Sequence, residues 1–370
     1  MSPERCYNCQ FMNNNQKSTA QESLKSKGLC KLGLDTHAAT ITVARQIGGS
    51  NPQPPQRFGV GEFLGWVSKQ VKQGYQVVSC YEAGPTGYWL HRKLEGLGVT
   101  NYVVCPTRLD SRGKGVNTDK TDALELLVRL DRYVAGNRKA FSVVRVPSAE
   151  QERQRAVSRQ REQLRDKRLS FAAQGRMLML SQGYRQTNSW WKAKSWTKLQ
   201  EELPEWLVAA LEVWVRIIAV ITEQIAALEK TIVAAAPEQL PLGMGKLTHE
   251  IIQREIADWR RFRNRRQIGS YSGLTGGVSA SGEQHAELSI TKAGNRRLSS
   301  CLVECAWRLV LKQPQYWLVR KWAPVLLNIR AHTRRRKQAI VAFARQLLVD
   351  LWKWKTGRIT AEHLGWVMTS

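Results

Sequence analysis

The sequence predicts an α/β domain followed by mainly helical segments, and three observations carry that prediction. Between residues 30 and 105 short strand-like apolar runs alternate with runs at helical spacing; residues 148–180 are a long basic, Gln-rich stretch and 204–236 a long apolar-striped one; and the last third sets helices after a Gly- and Ser-rich stretch. Taken in order, Lys31-Leu32-Gly33-Leu34-Asp35 reads as a short buried strand ending in a carboxylate. Ala39-Thr40-Ile41-Thr42-Val43-Ala44 reads as a second strand, and the short spacing between the two predicts a hairpin. Asn51-Pro52-Gln53-Pro54-Pro55 reads as a turn, and residues 60–71 as a helix, with Phe63, Leu64, Trp66, Val67 and Val71 at helical spacing. Gln76-Val77-Val78-Ser79-Cys80-Tyr81 is a strand that delivers Glu82; a helix over 86–97 and a strand Tyr102-Val103-Val104-Cys105 follow. Strands separated by helices in this way predict a partly parallel sheet.

From there the chain turns helical. Residues 119–132 form an amphipathic helix through Ala123, Leu124, Leu126, Leu127 and Leu130. The basic, Gln-rich stretch 148–180 and the apolar-striped 204–236 read as an antiparallel, coiled-coil-like pair projecting from the α/β domain. The last third opens on Pro241-Leu242-Gly243-Met244-Gly245-Lys246, crosses a Gly- and Ser-rich stretch over 269–282, and ends in helices near 292–313 and 333–355. The expected division is a flexible leader over 1–28, an α/β domain over 29–135, a helical insert over 136–237 and a C-terminal domain over 238–370.

Charge narrows the function. Fifty-seven Lys and Arg oppose 30 Asp and Glu, a formal charge of +27 that calls for an anionic partner. An apolar content of 42% with 14 Trp excludes a chain disordered throughout, and no apolar run approaches the ~18 residues a membrane helix needs. The first residues lack the apolar core of a signal peptide, which predicts a soluble, cytoplasmic protein, here nucleoid-associated, with reduced cysteines. Cys6 and Cys9 form a C-x-x-C to which Cys30 would add a third thiolate; a structural zinc site wants a second close pair, and none follows.

Four acids stand out by position: Asp35 and Glu82 at strand ends, and Asp119 and Asp122 three apart at a helix start, hence neighbours on one face. Carboxylates gathered together repel unless a cation neutralises them, and hard oxygen donors suit Mg²⁺ or Mn²⁺. Asp119 is also placed as a helix N-cap, a purely structural alternative. The ordered motifs Gly33-Leu34-Asp35-Thr36-His37, Tyr81-Glu82-Ala83-Gly84-Pro85-Thr86-Gly87-Tyr88 and Asn117-Thr118-Asp119-Lys120-Thr121-Asp122-Ala123 resemble those of insertion-sequence transposases with a RuvC-like Asp-Glu-Asp-Asp domain. Some members of that family are bridge-RNA-guided recombinases. The resemblance covers about residues 30–135 and 238–350. It implies an RNase H-like (RuvC-like) first domain, divalent-metal ligation by Asp35, Glu82, Asp119 and Asp122, DNA as substrate, a structured RNA guide, and a homodimer or homotetramer.

A second motif set, Tyr271-Ser272-Gly273-Leu274-Thr275, Ser281-Gly282 and Ser289-Ile290-Thr291-Lys292-Ala293-Gly294-Asn295-Arg296-Arg297-Leu298, is similar to that family's C-terminal domain, in which a serine attacks DNA. By that resemblance the nucleophile is Ser281. Gly276-Gly277-Val278-Ser279-Ala280 departs from the family's usual proline and aromatic, which makes Ser279 the rival, and Lys120-Thr121 departs from the usual basic pair between the two aspartates. Taken alone, Ser-Gly is an ordinary turn. Lys292 is a candidate phosphate contact by charge and position.

The basic residues predict nucleic-acid surfaces. Gly243, Gly245 and Lys246 lie in a turn resembling a helix-hairpin-helix element, whose glycines let backbone N–H groups approach a phosphate. Arg153, Arg159 and Arg165 stand on the long basic helix; Lys192 and Lys194 are interleaved with Trp190, Trp191 and Trp196, a pattern suited to stacking on unpaired bases. Arg334, Arg335 and Arg336 open another helix, where cations oppose the dipole. The expected function is strand cleavage and rejoining by a metal-assisted serine, guided by RNA. A structure-specific endonuclease using the same acids with water is the alternative; an RNase H-fold ATPase would need Gly-rich phosphate loops that Asp35-Thr36-His37-Ala38 does not offer, and a packaging protein leaves the acids unexplained.

Overall fold

The protein is described here by a computed structural model covering residues 27–106, 118–281, 284–291 and 293–369. Residues 1–26 of the predicted leader, with Cys6 and Cys9, lie outside the described residues, and Gly28, expected at its end, opens the first strand. The chain divides at Val146/Pro147 into two compact units.

The first unit is a five-stranded mixed sheet in the order β3-β2-β1-β4-β5. β1 (Gly28–Thr36), β2 (Thr40–Ile47) and β3 (Gln53–Gly59) run antiparallel; β4 (Tyr75–Glu82) lies parallel to β1, and β5 (Thr100–Val104) parallel to β4. The predicted hairpin is present. The Pro-rich segment expected as a turn is instead the edge strand β3, a correction with a simple cause: an edge strand pairs on one side only, so Pro54 and Pro55 need no N–H, and the register shifts between Val43 and Arg45 where they lie. α1 (Val60–Lys72) and α2 (Trp89–Gly96) carry the chain between parallel strands.

Strand parity sorts the two faces. Cys30, Leu32 and Leu34 of β1 and Val77 and Tyr81 of β4 pack with Phe63, Val67, Leu90 and Leu94 of α1 and α2. The alternate residues face α3 (Asp119–Val134): Lys31 pairs with Asp131, Gly33 lies under Ala123 and Leu127, and Val78 and Cys80 pack with Leu126 and Leu130. Cys30, the candidate third thiolate, is buried in the core, and burial pushes its thiol up to about 11 against a smaller opposing effect of Arg45. Residues 136–146, expected in the insert, belong to this unit: the Cys105 N–H donates to Ser142 and the Val144 N–H to Val103, covering the outer edge of β5.

The second unit begins with α4 (Ala149–Ser181), about 50 Å long at 1.5 Å per residue. α5 (Ala193–Glu202) follows, and α6 (Glu205–Val233) returns antiparallel to α4, with Arg161 on Glu229, Arg168 on Thr222 and Phe171 stacked on Trp214. α7 (Lys246–Ile256) and α8 (Arg265–Tyr271) precede a hairpin of β6 (Gly276–Ser281) and β7 (Gln284–Ile290); α9 (Arg296–Lys312), α10 (Trp317–Leu326), α11 (Thr333–Lys355) and α12 (Ala361–Leu364) complete it. Leu298, Leu302, Leu309, Tyr316, Phe343 and Leu347 are the centre of a large helical core. Arg159 and Arg254 tie α4, α6 and α7 together, so the helical pair packs with the residues that follow it. Among the described residues no helix is long and apolar enough to cross a membrane.

Candidate functional site

Asp35 and Glu82 come together because their strands are parallel neighbours. Leu34 pairs with Tyr81, so Asp35, next to last in β1, and Glu82, last in β4, lie side by side, and parity turns both towards the face that α3 covers. Gly33 decides how closely α3 approaches: a Cβ there would lie 2.3 Å from the Ala123 carbonyl oxygen and 2.4 Å from the Leu127 nitrogen. With no side chain in the way, the first turn of α3 brings Asp119 and Asp122 to the same place. Thr118, not Asp119, caps the helix; its Oγ1 accepts from the Thr121 N–H at 3.3 Å and Thr121 reciprocates, leaving the Asp119 carboxylate free of capping duty. Tyr81 steadies the turn after Glu82, its hydroxyl donating to the Gly87 carbonyl at 3.1 Å.

The four acids interact electrostatically. Burial first, then the Asp119 charge, raise Asp35 above the ordinary carboxylate value, while His37 opposes them. Burial, then Asp122, Asp35 and Glu125, raise Glu82, with Arg129 opposing; burial, then Asp35, Glu125 and Asp119, raise Asp122. Anions that raise one another form a site that a cation would relieve. Two neighbours were absent from the predicted site. His37 places Nε2 3.1 Å from Asp35 Oδ2 and 3.4 Å from Asp119 Oδ1, and Arg57 of β3 approaches Asp119 at 3.8 Å. The spacing Asp-x-His was visible in the sequence, whereas Arg57 depended on β3, which the prolines disguised.

In the second unit Ser281 ends β6, paired in register with Gln284 across the hairpin tip, and Ser279 pairs with Ala286. Gly282 and Lys292 lie outside the described residues. The base of the hairpin is closed by the Thr291 N–H donating to Thr275 and the Asn295 N–H donating to Tyr271, while a Cβ on Gly294 would lie 2.2 Å from the Gly273 nitrogen. Asn295 caps α9 through Oδ1 and donates from Nδ2 to Glu255 at 2.6 Å. Glu255 is almost wholly buried. Burial pushes its carboxyl up, but the Arg159 and Asn295 hydrogen bonds and the nearby guanidinium charges outweigh that and leave it below the usual range.

The predicted nucleic-acid contacts divide. Arg159 donates from two nitrogens to Glu255 at 3.2 and 3.1 Å, so its guanidinium is engaged within the fold. Trp190 is fully buried, donating its indole N–H to Ala172 at 2.8 Å against Gly175, and Trp196 is buried beside it; neither offers a face to a base. Arg153 pairs with Glu150 and Arg165 with Asp166 at the surface, and Lys192 and Lys194 are exposed. Gly243 adopts φ +97°, Gly245 is the N-cap of α7 and Lys246 its exposed first residue. Arg334 and Arg335 are exposed at the start of α11, while Arg336 lies over Trp307 with its Nε buried. Arg334 and Lys337 line a groove of about 710 Å³ whose other wall is Leu288, Ser289 and Ile290 of β7.

Comparison with known proteins adds a sequence relationship. Residues 239–319 match the transposase IS116/IS110/IS902 family. The chain is 30% identical over 315 residues, 78% of its own length and 79% of the relative's, to y4rJ, a protein of Sinorhizobium fredii provisionally named a transposase. It is 34% identical over 245 residues to y4qE of the same organism, likewise provisionally named, covering 65% of this chain and 60% of the relative. It is 28% identical over 138 residues to the transposase for insertion sequence element IS1533 of Leptospira borgpetersenii, covering 36% and 38%.

Proposed function

Because the chain belongs to the transposase IS116/IS110/IS902 family, we propose that it transposes DNA by cutting and rejoining strands through Ser281, with the acids of the first unit as a divalent-metal site. The observation that carries the metal site is the convergence of Asp35, Glu82, Asp119 and Asp122 at one end of one sheet face, where Asp35, Glu82 and Asp122 are each raised by another of the set. The sheet order, three antiparallel strands followed by two parallel ones with acids at the ends of β1 and β4, supports an RNase H-like (RuvC-like) first unit.

The donor set fits the metal. Carboxylate oxygens suit Mg²⁺ or Mn²⁺, and among the described residues no cysteine belongs to the cluster of donor atoms that could share an ion. Asp35, Glu82, Asp119 and Asp122 would hold the metal, which when bound would offset charge on the phosphate oxygens undergoing exchange. Ser281 Oγ forms a bond to phosphorus as the bond from phosphorus to a nucleotide oxygen breaks. The hydroxyl proton passes to solvent or a base, and the leaving oxygen acquires one. The number of phosphate ester bonds is conserved, so the reverse attack by a DNA hydroxyl rejoins a strand without ATP. A structured RNA guide and a homodimer or homotetramer are part of the same proposal, supported by the net charge of +27 and by Trp206, Val213 and Val220, exposed at seven-residue intervals on α6.

Denaturing electrophoresis with labelled cognate DNA tests the proposal. A protease-sensitive, retarded strand is expected from the wild type and from Ser279→Ala, and none from Ser281→Ala, which still binds DNA. An adduct that survives in Ser281→Ala but is lost in Ser279→Ala moves the nucleophile to Ser279. Clean nicking with free ends in every variant replaces the proposal with a hydrolytic endonuclease that uses water.

A further inference from the structure

We propose that His37 completes the metal site as a nitrogen ligand, so that Nε2, Asp35 and Asp119 share one cation and the site takes Mn²⁺ in preference to Mg²⁺. The inference rests on the metal-site reading above and extends it to a donor outside the four acids.

Geometry carries it. One donor atom from each of Asp35, His37 and Asp119 lies within 4.8 Å of the other two. The closest approaches are tighter, 3.1 Å from Nε2 to Asp35 Oδ2 and 3.4 Å from Nε2 to Asp119 Oδ1. Donors set ~2.1 Å from a shared ion lie about 3.0 Å apart at right angles and about 3.4 Å apart at the tetrahedral angle. Both observed separations therefore fall within the spacing of a single coordination shell. The backbone keeps the ring there: the His37 N–H donates to the Thr40 carbonyl at 2.9 Å, closing the β1–β2 turn one residue beyond β1. The imidazole is half exposed, so burial in the core does not explain where it stands.

Donor type sets the preference. Mg²⁺ demands oxygen and holds its waters, whereas Mn²⁺ accepts imidazole and stands higher than Mg²⁺ with mixed nitrogen and oxygen donors. The competing account is a hydrogen bond: an Nε2–H donated to both carboxylates has the same distances. The two accounts part when a metal is added. A ligand stays on the ion, and an imidazole that only donates a hydrogen bond is displaced by it.

The experiment loads the full-length protein, without DNA, with Mn²⁺ and reads electron spin-echo modulation from nitrogen coupled to the bound ion. The expected result is imidazole nitrogen coupling in the wild type, absent in His37→Gln, which still binds Mn²⁺ about tenfold more weakly while its Mg²⁺ affinity is nearly unchanged. Bound Mn²⁺ without nitrogen coupling in the wild type overturns the inference and spares the four-acid site. Coupling that persists in His37→Gln overturns it too, since another histidine is then the ligand. No Mn²⁺ binding that Asp35→Asn and Asp122→Asn abolish would overturn both the inference and the metal site on which it rests.

Discussion

Burial first, and then the charges of neighbouring carboxylates, raise Asp35, Glu82 and Asp122 above the ordinary carboxylate value, and those shifts have a measurable sign. A carboxyl whose folded-state pKa is raised contributes stability that is present below its unfolded pKa and lost as pH rises through the folded value. The metal-free protein should therefore gain thermal stability as pH falls from neutral into the upper carboxylate range, and Asp122→Asn should flatten that gain; a melting temperature that falls monotonically over this window would contradict it. Added Mn²⁺ should reverse the trend, because protons then compete with the ion. Asp35→Asn, Glu82→Gln, Asp119→Asn and Asp122→Asn should each reduce nicking of cognate DNA by at least about 100-fold while the metal-free melting temperature holds or rises. The four acids stood out in the sequence by their places near strand ends and at a helix start, whereas their convergence depends on β1 pairing with β4 and on α3 packing over Gly33. His37 was legible only as part of a motif, since its place between Asp35 and Asp119 depends on α3 packing on β1.

At the scale of elements, contacts that span the sequence decide what local pattern leaves open. Gly33 is a one-atom constraint on α3: Gly33→Ala should cost about 1–3 kcal/mol, as overpacking does, and should weaken Mn²⁺ binding by moving Asp119 and Asp122. β3 is hidden from a local reading because its prolines signal a turn wherever strand edges are not yet known, and β6 because Gly276, Gly277, Ser279 and Ser281 have little strand propensity of their own. α11, by contrast, is legible with its observed bounds of Thr333–Lys355, since a long apolar stripe is a local signal. Trp190 separates local from tertiary reasoning most sharply. Its basic neighbours suggest base stacking, but its burial against Gly175 makes it core, so Trp190→Ala should cost about 3–5 kcal/mol in denaturant unfolding. Unchanged stability with weakened single-strand binding would restore the stacking role. Glu255 joins α4, α7 and α9 beneath the β6–β7 hairpin. Its lowered pKa adds stability above the ordinary carboxylate range that is lost as pH falls through the folded value. Glu255→Gln should cost about 3 kcal/mol, the low end for a buried pair because Arg159 still reaches water.

Over the whole molecule, a formal charge of +27 guarantees attraction to nucleic acid but does not say where the phosphates lie, since a cation contributes to binding only if no carboxylate already holds it. The structure separates the two kinds. Arg159 and Arg161 are spent on Glu255 and Glu229, whereas among the described residues neither Arg334 nor Lys337 makes an ion pair, and both line the groove beside β7. From Gln284, the register partner of Ser281, to Leu288 is four residues, roughly 14 Å at 3.4 Å per residue, or about four base-pair rises of duplex. If a scissile phosphate meets Ser281, as proposed, and its strand runs alongside β7, the phosphate about four steps away meets this groove. Replacing Arg334 and Lys337 together by Ala should lower the slope of log affinity against log salt by about two units, near 0.9 for each phosphate that is no longer neutralised. Arg336→Ala should leave the slope alone and lower stability instead, because that guanidinium lies over Trp307 with its Nε buried. The measurements belong on Ser281→Ala protein, so that cleavage does not distort the equilibrium. A neutral methylphosphonate about four nucleotides from the cleavage point should weaken the protein with Arg334 and Lys337 intact and have little effect on the double variant. An unchanged salt slope in the double variant would mean that the groove faces solvent and that the DNA backbone follows another path across the second unit.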